Sequence, residues 1–127
     1  MPEYSKPENI LLVDDDEFIR DIYSTKFSES GIDVTSAENG KKALGLLADN
    51  NFDVVLLDMV MPEMDGIEFL EQFYENHDQE SVVIILSNQG QPEDVDKAQT
   101  FDIDGYIIKA NNIPSEILDE ITRIYNN

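Results

Sequence analysis

The chain has 127 residues, 41% of them hydrophobic, which suits one compact domain with its own core. Its 28 acidic residues against 8 basic ones give a net charge of −20, which opposes contact with nucleic-acid phosphates or anionic membranes and favours cations and basic partner surfaces. With no cysteine, disulfides, zinc–thiolate sites and cysteine nucleophiles are excluded. No apolar run nears the roughly 18 residues of a membrane span, and residues 1–8 are too polar for a signal peptide, so a cytoplasmic protein is expected.

Short apolar runs alternate with amphipathic stretches along the chain. Residues 10–13 form the first run. Phe18, Ile19, Ile22, Tyr23 and Phe27 then recur at helical spacing, with Gly31 as a stop signal. Residues 32–35 are β-prone, and Asn39 can cap a helix carrying Ala43, Leu44 and Leu47. Val54 to Leu57 make a second buried run. A loop with Pro62 and Gly66 leads into Ile67, Leu70, Phe73 and Tyr74, again at helical spacing. Residues 82–86 are the most β-rich run, and polar residues 87–91 follow. Pro92 can occupy the first turn of a helix reaching Ala98, although few apolar residues mark it. Residues 106–108 read as a last strand, and Pro114 opens a final helix bearing Ile117, Leu118, Ile121, Ile124 and Tyr125.

This order predicts five strands alternating with five helices. Continuous apolar strands are buried on both faces, so the expected fold is α/β, a doubly wound parallel sheet with helices on each side. One domain is expected over residues 1–127, its core at about 8–126, with no repeat or linker. Ligands of such folds bind outside the carboxyl ends of the strands.

Asp14, Asp15 and Asp16 follow the first strand, Asp58 ends the third, Ser87 follows the fourth and Lys109 the fifth. In a parallel sheet these ends share one edge, so the side chains can converge. Clustered carboxylates repel one another, and a hard divalent cation such as Mg²⁺ relieves the repulsion. A lysine adds a point charge for a phosphate oxygen, and a hydroxyl adds a donor. An aspartate, a divalent cation, a lysine and a hydroxyl are the parts of phosphoryl transfer. Taken singly most of these residues are ordinary, and Asp58, ending an apolar strand before Met59, Val60 and Met61, is the exception. Asp16 reads as a helix N-cap rather than a ligand, Ser87 as a loop residue and Lys109 as a solvated cation. Their joint placement carries the inference. The sole histidine, His77, reads as a solvated helix end, and Met59, Met61 and Met64 as packing residues.

The strings ILLVDDDEF (residues 10–18), VVLLDMVMPEMDG (54–66), VVIILSNQG (82–90) and DGYIIKA (104–110) resemble the receiver domain of two-component response regulators over nearly the whole chain. The expected sheet is then flavodoxin-like, five-stranded, in the order 2-1-3-4-5. The resemblance implies that Asp58 is the phosphoacceptor, forming an aspartyl phosphate. It further implies Mg²⁺ held by Asp15 directly, by Asp14 through water, by Asp58 and by the backbone carbonyl of Val60. Ser87 and Lys109 would bind the phosphoryl group, and Tyr106 would be the aromatic switch residue. The implied upstream partner is a histidine kinase or phosphotransfer protein. The implied output face comprises the fourth helix (92–100), the last strand and the fifth helix (114–125). Two departures stand out: Ala110 replaces the proline that usually follows the lysine, and Asn88 the small residue that usually follows the hydroxyl. A cis peptide costs about 2.5–4 kcal/mol before alanine, so the Lys109–Ala110 bond is expected to be trans.

Other readings stay open on sequence. A metal-dependent phosphohydrolase would also use a strand-end aspartate and Mg²⁺, but the position for its general acid, two residues after Asp58, holds Val60. A phosphorylation-independent interaction module is opposed by the intact set of Asp14, Asp15, Asp58, Ser87 and Lys109. A nucleotide-binding protein lacks its glycine-rich motif.

Overall fold

The computed structural model describes residues 5–59, 66–76, 81–87, 96, 99–109 and 112–127. The elements are β1 (Asn9–Val13), α1 (Glu17–Glu29), β2 (Asp33–Ala37), α2 (Gly40–Asp49), β3 (Val54–Asp58), α3 (Gly66–Asn76), β4 (Val82–Ser87), β5 (Gly105–Ile108) and α4 (Pro114–Tyr125). All pairings are parallel, in the order β2-β1-β3-β4-β5. The expected helix at 92–98 falls almost wholly outside the described residues, so four helices are seen among them.

Two-residue alternation along the strands divides the core. Leu11, Val13, Val55, Leu57, Val83 and Ile85 pack on the α2–α3 side with Phe69, Leu70 and Phe73. Ile10, Leu12, Val54, Leu56, Ile84 and Leu86 pack on the α1–α4 side with Phe27, Ile117 and Ile121. Both faces of β1, β3 and β4 are thus covered, as their unbroken apolar runs require. The edge strand β2 is only half-buried and keeps Asp33, Thr35 and Ser36. It begins one residue after the expected Ile32 and runs to Ala37, because its pairing follows β1 as far as Val13.

Local signals set the helix ends. Asp16 caps α1, accepting the Phe18 N–H at 2.9 Å. Asn39 caps α2 through the Lys42 N–H at 2.8 Å. Gly31 has φ +86°, the left-handed region that lets the chain turn out of α1. Pro114 opens α4, where the Ile113 N–H donates to the Glu116 carboxylate at 2.9 Å. One expectation is corrected: Phe18 is not part of the buried face of α1 but 69% exposed. It sits in the first helical turn, close to the carboxyl edge of the sheet, while Tyr23 and Phe27 further along the helix are buried.

Candidate functional site

β1 makes its last bond to β2 through the Asp14 N–H, which donates to the Ala37 carbonyl at 3.1 Å. Past that point the chain leaves the sheet, yet Asp14 is fully buried. A buried carboxylate needs partners. Its Oδ1 accepts the Asp16 N–H and its Oδ2 accepts Lys109 Nζ, both at 2.9 Å. Its backbone carbonyl accepts Arg20 Nη1 at 2.8 Å. Asp15, next in the chain, is exposed.

Asp58 closes β3 and is 4% exposed. Its Oδ2 lies 3.7 Å from Lys109 Nζ, which therefore bridges two acids from the end of β5 but lies nearer Asp14. Carboxylate oxygens of Asp14, Asp15 and Asp58 all come within 4.8 Å of one another. Three hard oxygen donors at that spacing, one open to solvent, suit a small divalent cation. Below the cluster, burial and then the Asp14 charge push the Tyr23 phenol up to about 12. Gly66 closes the loop after Asp58, its N–H donating to the Met59 carbonyl at 2.9 Å. A Cβ on Gly66 would meet Met59 Sδ at 2.6 Å and Met59 Cα at 2.8 Å, so the residue beside Asp58 can be reached this closely only by glycine.

The structure thus brings together Asp14, Asp15, Asp58 and Lys109. Ser87 ends β4 opposite Ile108, with its side chain outside the described positions. Val60, His77, Asn88 and the Lys109–Ala110 peptide also fall outside them. Tyr106 lies on β5, 45% exposed. Sequence reasoning missed Arg20. Its signal was a lone cation in the first turn of a helix whose entry carries four consecutive acids.

The family model for the response regulator receiver domain matches residues 10–122. The chain belongs to this family. Receiver domains are phosphoacceptor signalling switches rather than classical enzymes. This one is 39% identical over 100 residues to the regulatory protein AtoC of Escherichia coli, covering 79% of the chain but 22% of AtoC. It is 35% identical over 117 residues to the chemotaxis protein CheY of Halobacterium salinarum, covering 92% of the chain and 96% of CheY. Among solved structures, the receiver domain of a Francisella response regulator aligns with a TM-score of 0.79 and 34% identity, covering 93% and 96% of the two chains. The flavodoxin-like order read from β2-β1-β3-β4-β5 is that of these receiver domains.

Proposed function

We propose that Asp58 accepts a phosphoryl group, in an Mg²⁺-dependent reaction, from a histidine kinase, a phosphotransfer protein or a small phosphodonor. The observation that carries this reading is the convergence of three carboxylates, two of them facing one lysine, with Asp58 at a strand end. An Asp58 carboxylate oxygen attacks phosphorus. The new O–P bond forms as the bond to the donor's leaving nitrogen or oxygen breaks, and the leaving group keeps the electron pair. Lys109, 2.9 Å from Asp14 and 3.7 Å from Asp58, is within a small side-chain movement of an oxygen transferred to Asp58. Asp14, Asp15, Asp58 and the Val60 carbonyl would hold the Mg²⁺, which when bound supplies positive charge opposite the transferring oxygens. Ser87 would donate its hydroxyl to the phosphoryl group, and Tyr106 would respond as the switch.

The resulting change would be read on a surface formed by segment 92–100, β5 and α4. A protein donor has a place to rest beside the site: exposed Phe18 and Ile113 line a groove of about 650 Å³ between α1 and the start of α4. Among the described residues no helix is long and apolar enough to cross a membrane. We assign residues 1–127 to one domain with its core at about 8–126, acting in the cytoplasm on protein partners. A charge of −20 opposes direct contact with nucleic acid.

Intact-mass measurement with an acyl phosphate and Mg²⁺ tests the reading. One phosphoryl adduct is expected, lost in Asp58→Asn and lost with chelator. An adduct that persists in Asp58→Asn would refute Asp58 as the acceptor.

A further inference from the structure

We infer that Arg20 is a positioning residue for the cation site, holding the Asp14–Asp15 peptide so that the Asp15 carboxylate is aimed at the cluster. The inference rests on the proposed Mg²⁺-dependent reading of that cluster. Asp14 is buried, and its N–H already makes the last sheet bond to Ala37. Its carbonyl lies past that bond, with no strand to pair it, and a buried carbonyl left without a donor is costly. Arg20 Nη1 supplies the donor at 2.8 Å.

A peptide unit is planar, so fixing the direction of the Asp14 carbonyl also fixes the plane that carries the Asp15 N–H. The side chain of Asp15 leaves the Cα bonded to that plane. Asp15 is the exposed member of the trio, and among the described residues its carboxylate makes no hydrogen bond to orient it. The neighbouring bonds act on other groups: Lys109 holds the carboxylate of Asp14, and the Asp16 N–H ties the Asp15–Asp16 peptide to that carboxylate, which leaves the peptide on the amino side of Asp15 to Arg20. Arg20 also brings a full positive charge to a loop that otherwise reads Asp-Asp-Asp-Glu, which lowers the cost of crowding these acids before a cation arrives. The guanidinium reaches the site from the first turn of α1, whose start is set by the Asp16 cap, so helix and loop are locked in one geometry.

The test is an Mg²⁺ titration at about 0.15 M salt, where diffuse attraction to the acidic surface is screened. Backbone amide shifts follow the titration in wild type, Asp15→Ala, Arg20→Met and Arg20→Lys. Arg20→Met keeps the packing stem and removes the donors. Its expected Mg²⁺ affinity is roughly tenfold lower, in line with losses for groups that orient metal ligands. The Asp15 amide resonance should also move in the metal-free protein, and Arg20→Lys should restore most of the affinity. An Arg20→Met protein that binds Mg²⁺ within a factor of about two of wild type overturns the inference, as does a loss that lysine does not restore. A wild type that binds no Mg²⁺, or an unchanged affinity in Asp15→Ala, instead overturns the reading of the cluster, and is distinguished because it appears without any change at Arg20.

Discussion

At the amino edge of the sheet, Asp53 accepts the Glu8 N–H at 2.7 Å, Asp104 accepts the Val83 N–H at 2.8 Å, and Asn9 accepts the Asp53 N–H at 2.8 Å. Each side chain there satisfies a backbone group where a strand begins, and each acts at its own strand. At the carboxyl edge, Asp14, Asp15 and Asp58 come within 4.8 Å of one another, and Asp14 and Asp58 lean on Lys109. Aspartates dominate both edges, and all of these residues sit at or next to a strand end. What differs is convergence. Dispersed acids that each accept a backbone N–H stabilise the fold, whereas acids gathered on one another cost stability that a ligand can return.

The largest effect expected from this contrast comes from Lys109→Ala in metal-free buffer. Asp14 is fully buried and Lys109 is its side-chain cation, so the variant leaves a buried charge uncompensated. Urea unfolding should show a loss of about 3 kcal/mol. A loss below the level of an ordinary surface pair, about 1 kcal/mol, would mean that the carboxyl edge tolerates its own repulsion and that the contrast is overstated.

Next in size is the return of stability by a cation. At a concentration about a hundredfold above its dissociation constant, Mg²⁺ should stabilise the protein by about 2.7 kcal/mol and raise its melting temperature. Asp15→Ala should abolish most of the rise, while Asp104→Asn should leave it intact. An equal rise in all three proteins would show that the cation acts on the acidic surface at large.

How much of this was legible in the sequence divides along the same line. The unbroken runs of β1, β3 and β4 betrayed strands buried on both faces, and Asp16, Asn39, Gly31 and Pro114 marked helix ends, because those signals act over a few residues. The convergence of Asp14, Asp15, Asp58 and Lys109 was legible too, since a parallel sheet brings its strand ends to one edge. Contacts set by tertiary packing were not. Nothing in the spacing says that Lys109 lies nearer Asp14 than Asp58, that Arg20 turns back to the Asp14 carbonyl, or that Phe18 is exposed beside Ile113. The bonds made by Asp53 and Asp104 were not legible either, because their partners Glu8 and Val83 are distant in sequence. The 92–98 helix, with few apolar residues to mark it, lies almost wholly outside the described residues.

A smaller effect separates the edges by sign. In metal-free protein, Asp58→Asn relieves close repulsions to Asp14 and Asp15 and weakens the attraction to Lys109 at 3.7 Å. A gain on the order of 1 kcal/mol is expected. Asp53→Ala removes the acceptor of the Glu8 N–H, and a loss of about 1–2 kcal/mol is expected. Chemical denaturation of the two variants measures both. Changes of the same sign would break the distinction between gathered and dispersed acids.

The smallest effect at neutral pH belongs to the tyrosines, which report on the two edges in alkali. Burial and then the Asp14 carboxylate raise the Tyr23 phenol from an ordinary value of 10.0 to about 12. Burial and then Asp53 and Glu8 raise Tyr125 at the opposite edge. A phenol whose value is raised by folding keeps its proton in the native chain after the unfolded chain has lost it. Between pH 10 and 12 the native state therefore binds more protons, and stability falls as pH rises. The contribution is fully present below pH 10 and is lost as pH climbs through the native value near 12. At pH 7 it is constant, so Tyr23→Phe should leave the pH dependence there unchanged while flattening the alkaline decline. Tyr125 is only half-buried, where solvent screens its neighbours, so Tyr125→Phe should flatten the decline less. Unfolding free energies across this window, with phenolate absorbance followed in parallel, measure both slopes. A Tyr23 phenol that ionises in the ordinary tyrosine range would show that the native environment beside Asp14 does not hold its proton.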